Sequence, residues 1–462
     1  MKNSRILLAY IFLIISYPVF SQTDSADISE KGYMHVIKGF SRAGFYGWTD
    51  GSGREPKVSS GYMDVGIMFD KGFGSRFNFF SDFRYRFGYE FMEPVSRFEI
   101  REARALISGK KWTATLGQQI IKWGLTDIIN PEAMLSPCNY IVRSSDREDI
   151  NLGNLSARFS YSPVQLISLE AVATPYYRPS VLLADLIQLP LYVSLEKFSG
   201  LRTDRTRFTY ALRADMHFKA MKMGFSWFDG YNPVPGTMLK GMEMYPSGEI
   251  LQPFAQLVYS PYRIRNAGID LEVTTDRTIV KGEATWSVPY KSYKVYEYVP
   301  MPEINWVADI ERSFGAWHVV AEYSGKMMTG FTKITVVPMT EPGQDQDTFD
   351  PTVSGETDIN SYIKGQVGAF NRLYNYQLHK WYHSAGLIIG KDILYGKISL
   401  SLLTHYNFTS HDLYLNPGIS YRPMNRLTIN FGLDYYSGAK GSLYDLIESS
   451  LNSINAALRI DF

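Results

Sequence analysis

The sequence predicts an all-β fold: a transmembrane antiparallel up-and-down β-barrel of about 18 strands, with 16 as the alternative. Short periplasmic turns and long extracellular loops join the strands. Three observations carry this prediction. The chain ends in a strictly alternating strand closed by Phe462, it begins with a short apolar leader, and 15% of its residues are aromatic while only 20% are charged.

In the last nine residues, Ile454, Ala456, Leu458, Ile460 and Phe462 share one face, and Asn455, Ala457, Arg459 and Asp461 share the other. That is a strand with one apolar and one wet side. No residue follows to cover the apolar side, which suits a strand whose outer face meets lipid. The ending resembles the C-terminal assembly signal of bacterial outer-membrane barrels, which implies handling by the barrel-assembly machinery.

At the other end, Lys2 and Arg5 precede the apolar run Ile6 to Phe20, and Val19-Phe20-Ser21 supplies a plausible cleavage site before Gln22. This reads as a secretory signal peptide over residues 1–21. The run is short of the ~20 residues a helical span needs. A short periplasmic segment, 22–32, and a barrel over 33–462 complete the expected organisation, and the expected location is the bacterial outer membrane.

Composition supports the barrel over a soluble fold. The 33 Tyr, 27 Phe and 8 Trp suit a lipid-facing band with aromatic girdles. The 47 basic and 46 acidic residues nearly cancel, so neither nucleic acid nor a polybasic membrane anchor is indicated. Cys138 is the single cysteine and forms no intrachain disulfide. No catalytic signature appears and no cofactor or metal is expected. His379 and His383 would lie about 13 Å apart on a strand, which suits interfacial side chains better than one metal. The acidic stretch 341–358 lacks the full ligand spacing of a calcium loop and reads as solvated surface.

Alternation recurs along the chain. Phe77, Phe79, Phe83, Tyr85 and Phe87 oppose Arg76, Asn78, Asp82, Arg84 and Arg86. Strands are expected to begin near residues 33, 59, 74, 97, 111, 153, 165, 207, 221, 262, 278, 301, 316, 380, 395, 411, 426 and 452. Long connections fall at 122–152, 174–206, 230–250 and 327–379. Parity fails at Glu102 and Arg104, which points to a bulge. Val181 to Phe198 is too apolar for a solvated loop and should pack as a helix or fold over the mouth.

Polar faces repeated around a closed sheet line a hydrated lumen. The expected pore-lining residues are Arg76, Arg84, Arg86, Arg101, Arg158, Arg207 and Arg213 on earlier strands, and Asp270, Glu272, Glu283, Asp309 and Glu311 on later ones. The two sets would face each other across the channel, with Lys281 a basic exception in the acidic sector.

The connection after the fifth strand is the sharpest local feature. It contains Gly124, Pro131 and Pro137, then the charge cluster Arg143-Ser144-Ser145-Asp146-Arg147-Glu148-Asp149. Opposite charges packed this closely suit a segment held against a charged wall. Ile100-Arg101-Glu102-Ala103, Gly117-Gln118-Gln119-Ile120-Ile121-Lys122-Trp123-Gly124 and Asp127-Ile128-Ile129-Asn130-Pro131 resemble signatures of a porin-like outer-membrane family similar to the alginate-export barrels. Lys281-Gly282-Glu283-Ala284 resembles another strand of that group. Gly117, Gln119, Trp123, Gly124, Asp127, Asn130 and Pro131 carry the match, while Gln118 and Lys281 stand where the family has arginine.

By implication from porins, this connection folds inward as a constriction bearing Asp127, Arg143, Asp146, Arg147, Glu148 and Asp149; an extracellular flap is the alternative. The expected function is a passive channel for hydrophilic small solutes, anionic ones included. Its expected surroundings are outer-membrane lipid and lipopolysaccharide, as monomer or homotrimer. The alternative is a surface receptor or assembly platform whose lumen is blocked by Val181 to Phe198 and the 327–379 connection.

Overall fold

The computed structural model describes residues 35–49, 56–187, 189–190, 192–196, 208–247, 250–333 and 356–462. The expected signal peptide and periplasmic segment lie outside these residues, as does Arg207.

The chain opens with β1 (His35–Thr49), β2 (Pro56–Phe73), β3 (Phe77–Glu90), β4 (Glu93–Ser108) and β5 (Trp112–Gln119). After a long irregular connection come β6 (Asn154–Val164), β7 (Ile167–Thr174), the short β8 (Val193–Glu196), β9 (Thr209–His217) and β10 (Met221–Tyr231). A hairpin of β11 (Gly236–Ser247) and β12 (Ile250–Ser260) precedes β13 (Arg263–Thr274), β14 (Thr278–Pro289), β15 (Glu303–Phe314) and β16 (Trp317–Met328). Helix α1 (Glu356–Tyr374) leads to β17 (Trp381–Ile393), β18 (Ile398–Asn407), β19 (Asp412–Met424) and β20 (Leu427–Ser437). Helix α2 (Leu443–Leu451) precedes the last strand, β21 (Ser453–Asp461).

Eighteen of these strands form one antiparallel sheet in chain order, omitting β8, β11 and β12. The sheet closes where β21 pairs with β1, and Gly39 and Phe462 exchange two backbone hydrogen bonds of 2.9 Å. Gly39 is required there, because a Cβ would sit 2.4 Å from the Phe462 ring. Each of the eighteen expected strand starts lies within four residues of an observed one. Period-two alternation locates strands well when one face must be apolar.

The outer face is lipid-like. Along β21, Ile454 and Phe462 are 63% and 55% exposed, whereas Asn455 and Ala457 point inward and are buried. In water this arrangement would be inverted. His383 stacks on Trp381 and hydrogen-bonds the Tyr323 hydroxyl at 2.6 Å on the outer side, as an interfacial residue should.

One expectation is met and two change. The disrupted parity of β4 is a bulge at Arg101: Glu102 pairs with Asp82 and Ile100 with Phe83, leaving Arg101 as the extra residue. The 327–379 connection contains α1, and 341–355 lies outside the described residues, with 356–358 opening that helix. The Val181 to Phe198 stretch forms a 3₁₀ turn at Leu183–Leu186 and then β8, which adds in parallel to β12.

With β21 running toward the periplasm, the short turns are periplasmic and the helices, β8 and the β11–β12 hairpin are extracellular. There α2 buries Leu443, Ile447 and Leu451 against Phe91, Leu183, Leu186 and Ile187. Tyr374 at the end of α1 packs against this cluster and against that of Leu182 and Tyr259. The apolar 180s segment is therefore the material that joins the extracellular elements, because its leucines find partners there rather than water.

Candidate functional site

Between β5 and β6, residues 120–153 run inside the barrel. Two walls hold this connection by different means. On the first, Arg42 of β1, Arg84 of β3 and the bulged Arg101 of β4 converge on Asp149: Arg42 at 2.5 Å, Arg101 at 2.7 Å, and Arg84 on the same carboxyl. Asp64 of β2 completes the cluster, pairing with Arg42 and Arg86 at 2.7 Å each. Ser144 donates to Asp149 at 2.5 Å from within the connection. Burial alone would raise the Asp149 carboxyl, but Arg42 and Arg84 hold it well below the ordinary range.

On the second wall, three inward carboxylates on adjacent strands receive five consecutive backbone N–H groups. Leu125 and Thr126 donate to Glu283 of β14, the latter at 2.6 Å. Asp127 donates to Asp309 of β15 at 3.2 Å. Ile128 and Ile129 donate to Glu322 of β16 at 2.9 and 3.0 Å. Lys281 of β14 bonds the Asp127 side chain at 2.6 Å and also pairs with Glu311 at 3.0 Å.

The motif residues build this row of donors. Gly124 adopts φ +89°, and any Cβ would lie 2.3 Å from the Asn130 side chain. Asn130 donates to the Trp123 carbonyl at 2.9 Å and accepts from the Glu132 amide at 3.1 Å. The Thr126 hydroxyl closes the turn on the Ile129 carbonyl. Trp123 donates to Glu170 at 2.8 Å, which in turn binds Arg158 at 2.5 Å. Gly117 has φ +134°, and a Cβ there would meet the Ala103 carbonyl at 2.2 Å. Gln119 is buried and bonds the Ser156 carbonyl.

A third anchor lies between the walls. Glu132 is buried against Arg213 of β9 at 2.7 Å, and Arg213 also meets Asp270 of β13 at 2.7 Å. Burial, then the Asp270 carboxylate, pushes the Glu132 carboxyl up, with Arg213 opposing. Beside it, Ile121, Trp123 and Leu135 pack on Val172, Ala211, Phe228 and Ile264 of the barrel wall. Here the inner face is apolar, so the expectation of a uniformly wet lumen is corrected: the connection brings its own hydrophobic side and dries that sector.

Arg143 plays a role the sequence did not suggest. Its guanidinium donates to the Ser450 carbonyl at 2.8 Å and to the Leu451 carbonyl at 3.0 Å, capping the C-terminus of α2. Asp146 caps the 3₁₀ turn Arg147–Ile150 and meets Arg459 at 3.5 Å. Arg147 bonds Asn416 of β19 at 3.1 Å, and Glu148 pairs with Lys122.

Of the expected wall residues, Arg84, Arg86, Arg101, Arg158, Arg213, Asp270, Glu283, Asp309 and Glu311 join these networks. Glu272 lies on β13 opposite Lys222 and Lys281. Arg76 is exposed in the turn between β2 and β3, so it is corrected from the wall to the periplasmic rim. Sequence reading missed Arg42, Asp64, Glu132 and Glu322. The signal for Glu322 was available, since it alternates with outward Tyr323 and pairs with Asp309 in register.

In the cyclic strand order, β1–β4 and β14–β16 lie about halfway round from one another. Arg213 departs from this segregation, because only β10 separates its strand from β13, where Asp270 opens the acidic sector. Between the first wall and the connection, Arg84, Arg86, Arg97 and Arg101 line a cavity of about 30 Å³ with Asn139 and Asp149. A water needs about 10–15 Å³ of such space, so the cavity has room for about two.

No protein-family model matches this chain, and no curated protein matches it. Solved structures do. Outer membrane protein OpdK from Pseudomonas aeruginosa is similar over 93% of this chain and 99% of its own, at TM-score 0.53 and 6% identity. OpdO from the same organism is similar over 93% and 96%, at TM-score 0.51 and 10% identity. OpdK crystallised with vanillate gives TM-score 0.51 at 6% identity. The chain thus has the fold of these outer-membrane proteins, and its closed barrel with an apolar exterior is an outer-membrane barrel.

Proposed function

We propose that this protein is a non-enzymatic outer-membrane channel through which small hydrophilic solutes diffuse, narrowed by the connection 120–153. The observation that carries the reading is that connection, held inside a closed charged cylinder by opposite walls. Arg84, Arg86, Arg97 and Arg101 beside the connection are the groups an anion preference would draw on, each of them also paired with Asp64, Asp82, Glu90 or Asp149. The resemblance to alginate-export-type barrels agrees with a channel, although Gln118 and Lys281 withhold two arginines that its anion preference would use.

Planar-bilayer recording tests this. Discrete conductance with anion selectivity is expected; folded protein without conductance would refute it. The second reading, a surface receptor or assembly platform, is favoured by the extracellular cluster of α2, the 180s segment and Tyr374. Near-zero conductance with a saturable surface partner would establish it instead. A homotrimer, lipopolysaccharide contact and delivery by the barrel-assembly machinery belong to both readings, and cross-linking in native membranes tests the oligomer.

A further inference from the structure

On the extracellular side, the connection between β14 and β15 and helix α1 form a cleft of about 400 Å³. That is the size of a small-molecule site. Its walls are fixed before any ligand arrives. Asn371 of α1 donates to the Thr237 carbonyl at 2.7 Å and the Glu297 carbonyl at 2.9 Å, and accepts from the Thr237 amide at 2.7 Å. Gln377 accepts from the Met301 amide at 2.8 Å. Tyr293 is tied to the Gly330 carbonyl at 2.5 Å.

Lys294, Lys364 and Arg372 line this rigid cleft. Among the described residues, none of the three pairs with a carboxylate. Among the described residues the Arg372 guanidinium bonds only Thr332, and burial lowers its pKa. Glu297, the single acid in the lining, turns Oε1 to the Leu239 amide at 3.2 Å. Three cations in one preformed cleft leave an excess that a doubly charged oxyanion would neutralise. Val299, Pro300, Gly365 and Gly368 add a low apolar surface against which a ring could lie.

We propose that this cleft binds a phosphorylated saccharide, its phosphoryl group on Lys294, Lys364 and Arg372. A phosphate monoester carries about −1.5 to −2 charges near neutrality, which matches this set better than a single carboxylate does. The site does not rest on the channel reading, since its lining shares no residue with the Arg84–Asp149 cavity or with the acidic wall.

The same chemistry occurs in free sugar phosphates and in lipopolysaccharide, so both are titrated against detergent-folded protein by calorimetry. Glucose 6-phosphate, glucose, glucuronate, lipopolysaccharide and dephosphorylated lipopolysaccharide form the series. Saturable binding of glucose 6-phosphate, of phosphorylated lipopolysaccharide, or of both is expected, with glucose, glucuronate and the dephosphorylated form at least tenfold weaker. The double variant Lys294→Glu/Lys364→Glu should raise Kd at least tenfold.

Gly365→Trp provides a fold-neutral check. A Cβ at Gly365 meets nothing within 4 Å, so the indole has room to enter the cleft and should abolish binding while the barrel's heat-modified gel mobility stays unchanged. Binding that survives both variants, equal binding of glucuronate, or no binding to any phosphorylated probe would overturn the proposal.

Discussion

The two walls that grip the connection do so with opposite chemistry. The arginine wall meets it charge to charge: Arg42, Arg84 and Arg101 surround the single carboxylate of Asp149. The acidic wall meets it charge to dipole: Glu283, Asp309 and Glu322 take five successive backbone N–H groups and need no lysine or arginine at those positions. The first arrangement concentrates its energy in one side chain, whereas the second spreads it over a backbone conformation. One wall should therefore fail abruptly under point mutation and the other by degrees.

The largest effect is expected at Asp149. Replacing it with alanine removes the carboxylate that Arg42, Arg84 and Arg101 share: Arg42 keeps Asp64 and Arg84 keeps Asp82, but the buried Arg101 is left without a carboxylate partner. Removing one partner of a buried ion cluster costs about 3–5 kcal/mol. Proteolysis of the 120–153 connection in folded barrels should accelerate strongly; an unchanged rate would mean that the arginine wall contributes little.

Glu322→Ala should cost about 1–3 kcal/mol, since the Ile128 and Ile129 amides lose their acceptor. Hydrogen exchange at those two amides reads the change. Protection should persist at Leu125 and Thr126, which Glu283 still holds; loss along the whole turn would show that the acidic wall is as concentrated as the other.

Arg143→Ala removes the cap on α2 and should loosen its last turn by about 1 kcal/mol, seen as faster exchange around Leu451. The barrel's heat-modified gel mobility should not change.

The smallest effect is that of moderate acid. Folding lowers the pKa of Asp149. Its stabilisation is therefore complete above the ordinary aspartate value of ~3.9 and is lost only as pH falls through the lower folded value. Asp149 should therefore cause no step in conductance from neutrality to about pH 4, and a step within that range belongs to Glu132, whose carboxyl burial raises. A step near pH 5 would place the controlling group elsewhere.

The same contrast explains what could be read in the sequence. Strand positions were legible because lipid on one side and water on the other impose a period of two, and the inward course of 120–153 was visible in its crowded charges. Asp149 belonged to that cluster and finds its arginines. The acidic wall's partners were not legible, because backbone N–H groups carry no sequence letter. Only Gly124, Asn130 and Pro131 hinted at a specific turn.

Arg42 and Asp64 were missed because the inward faces of β1 and β2 also carry Phe40, Tyr46 and Tyr62, all buried, so apolar and charged residues share one side. The capping role of Arg143 depends on α2, 300 residues away, and α2 was hidden inside an expected loop. The apolar packing of Ile121, Trp123 and Leu135 on the wall broke the rule that inward means wet.

Single-channel recording of the wild type beside Asp149→Ala/Glu322→Ala tests the central claim most directly. With the arginine wall and the Glu322 end of the acidic wall released, and Glu283 and the Glu132–Arg213 pair still holding, the 143–149 part of the connection should swing free, raising conductance and weakening ion selectivity. Identical conductance and selectivity in a correctly folded double variant would contradict the account.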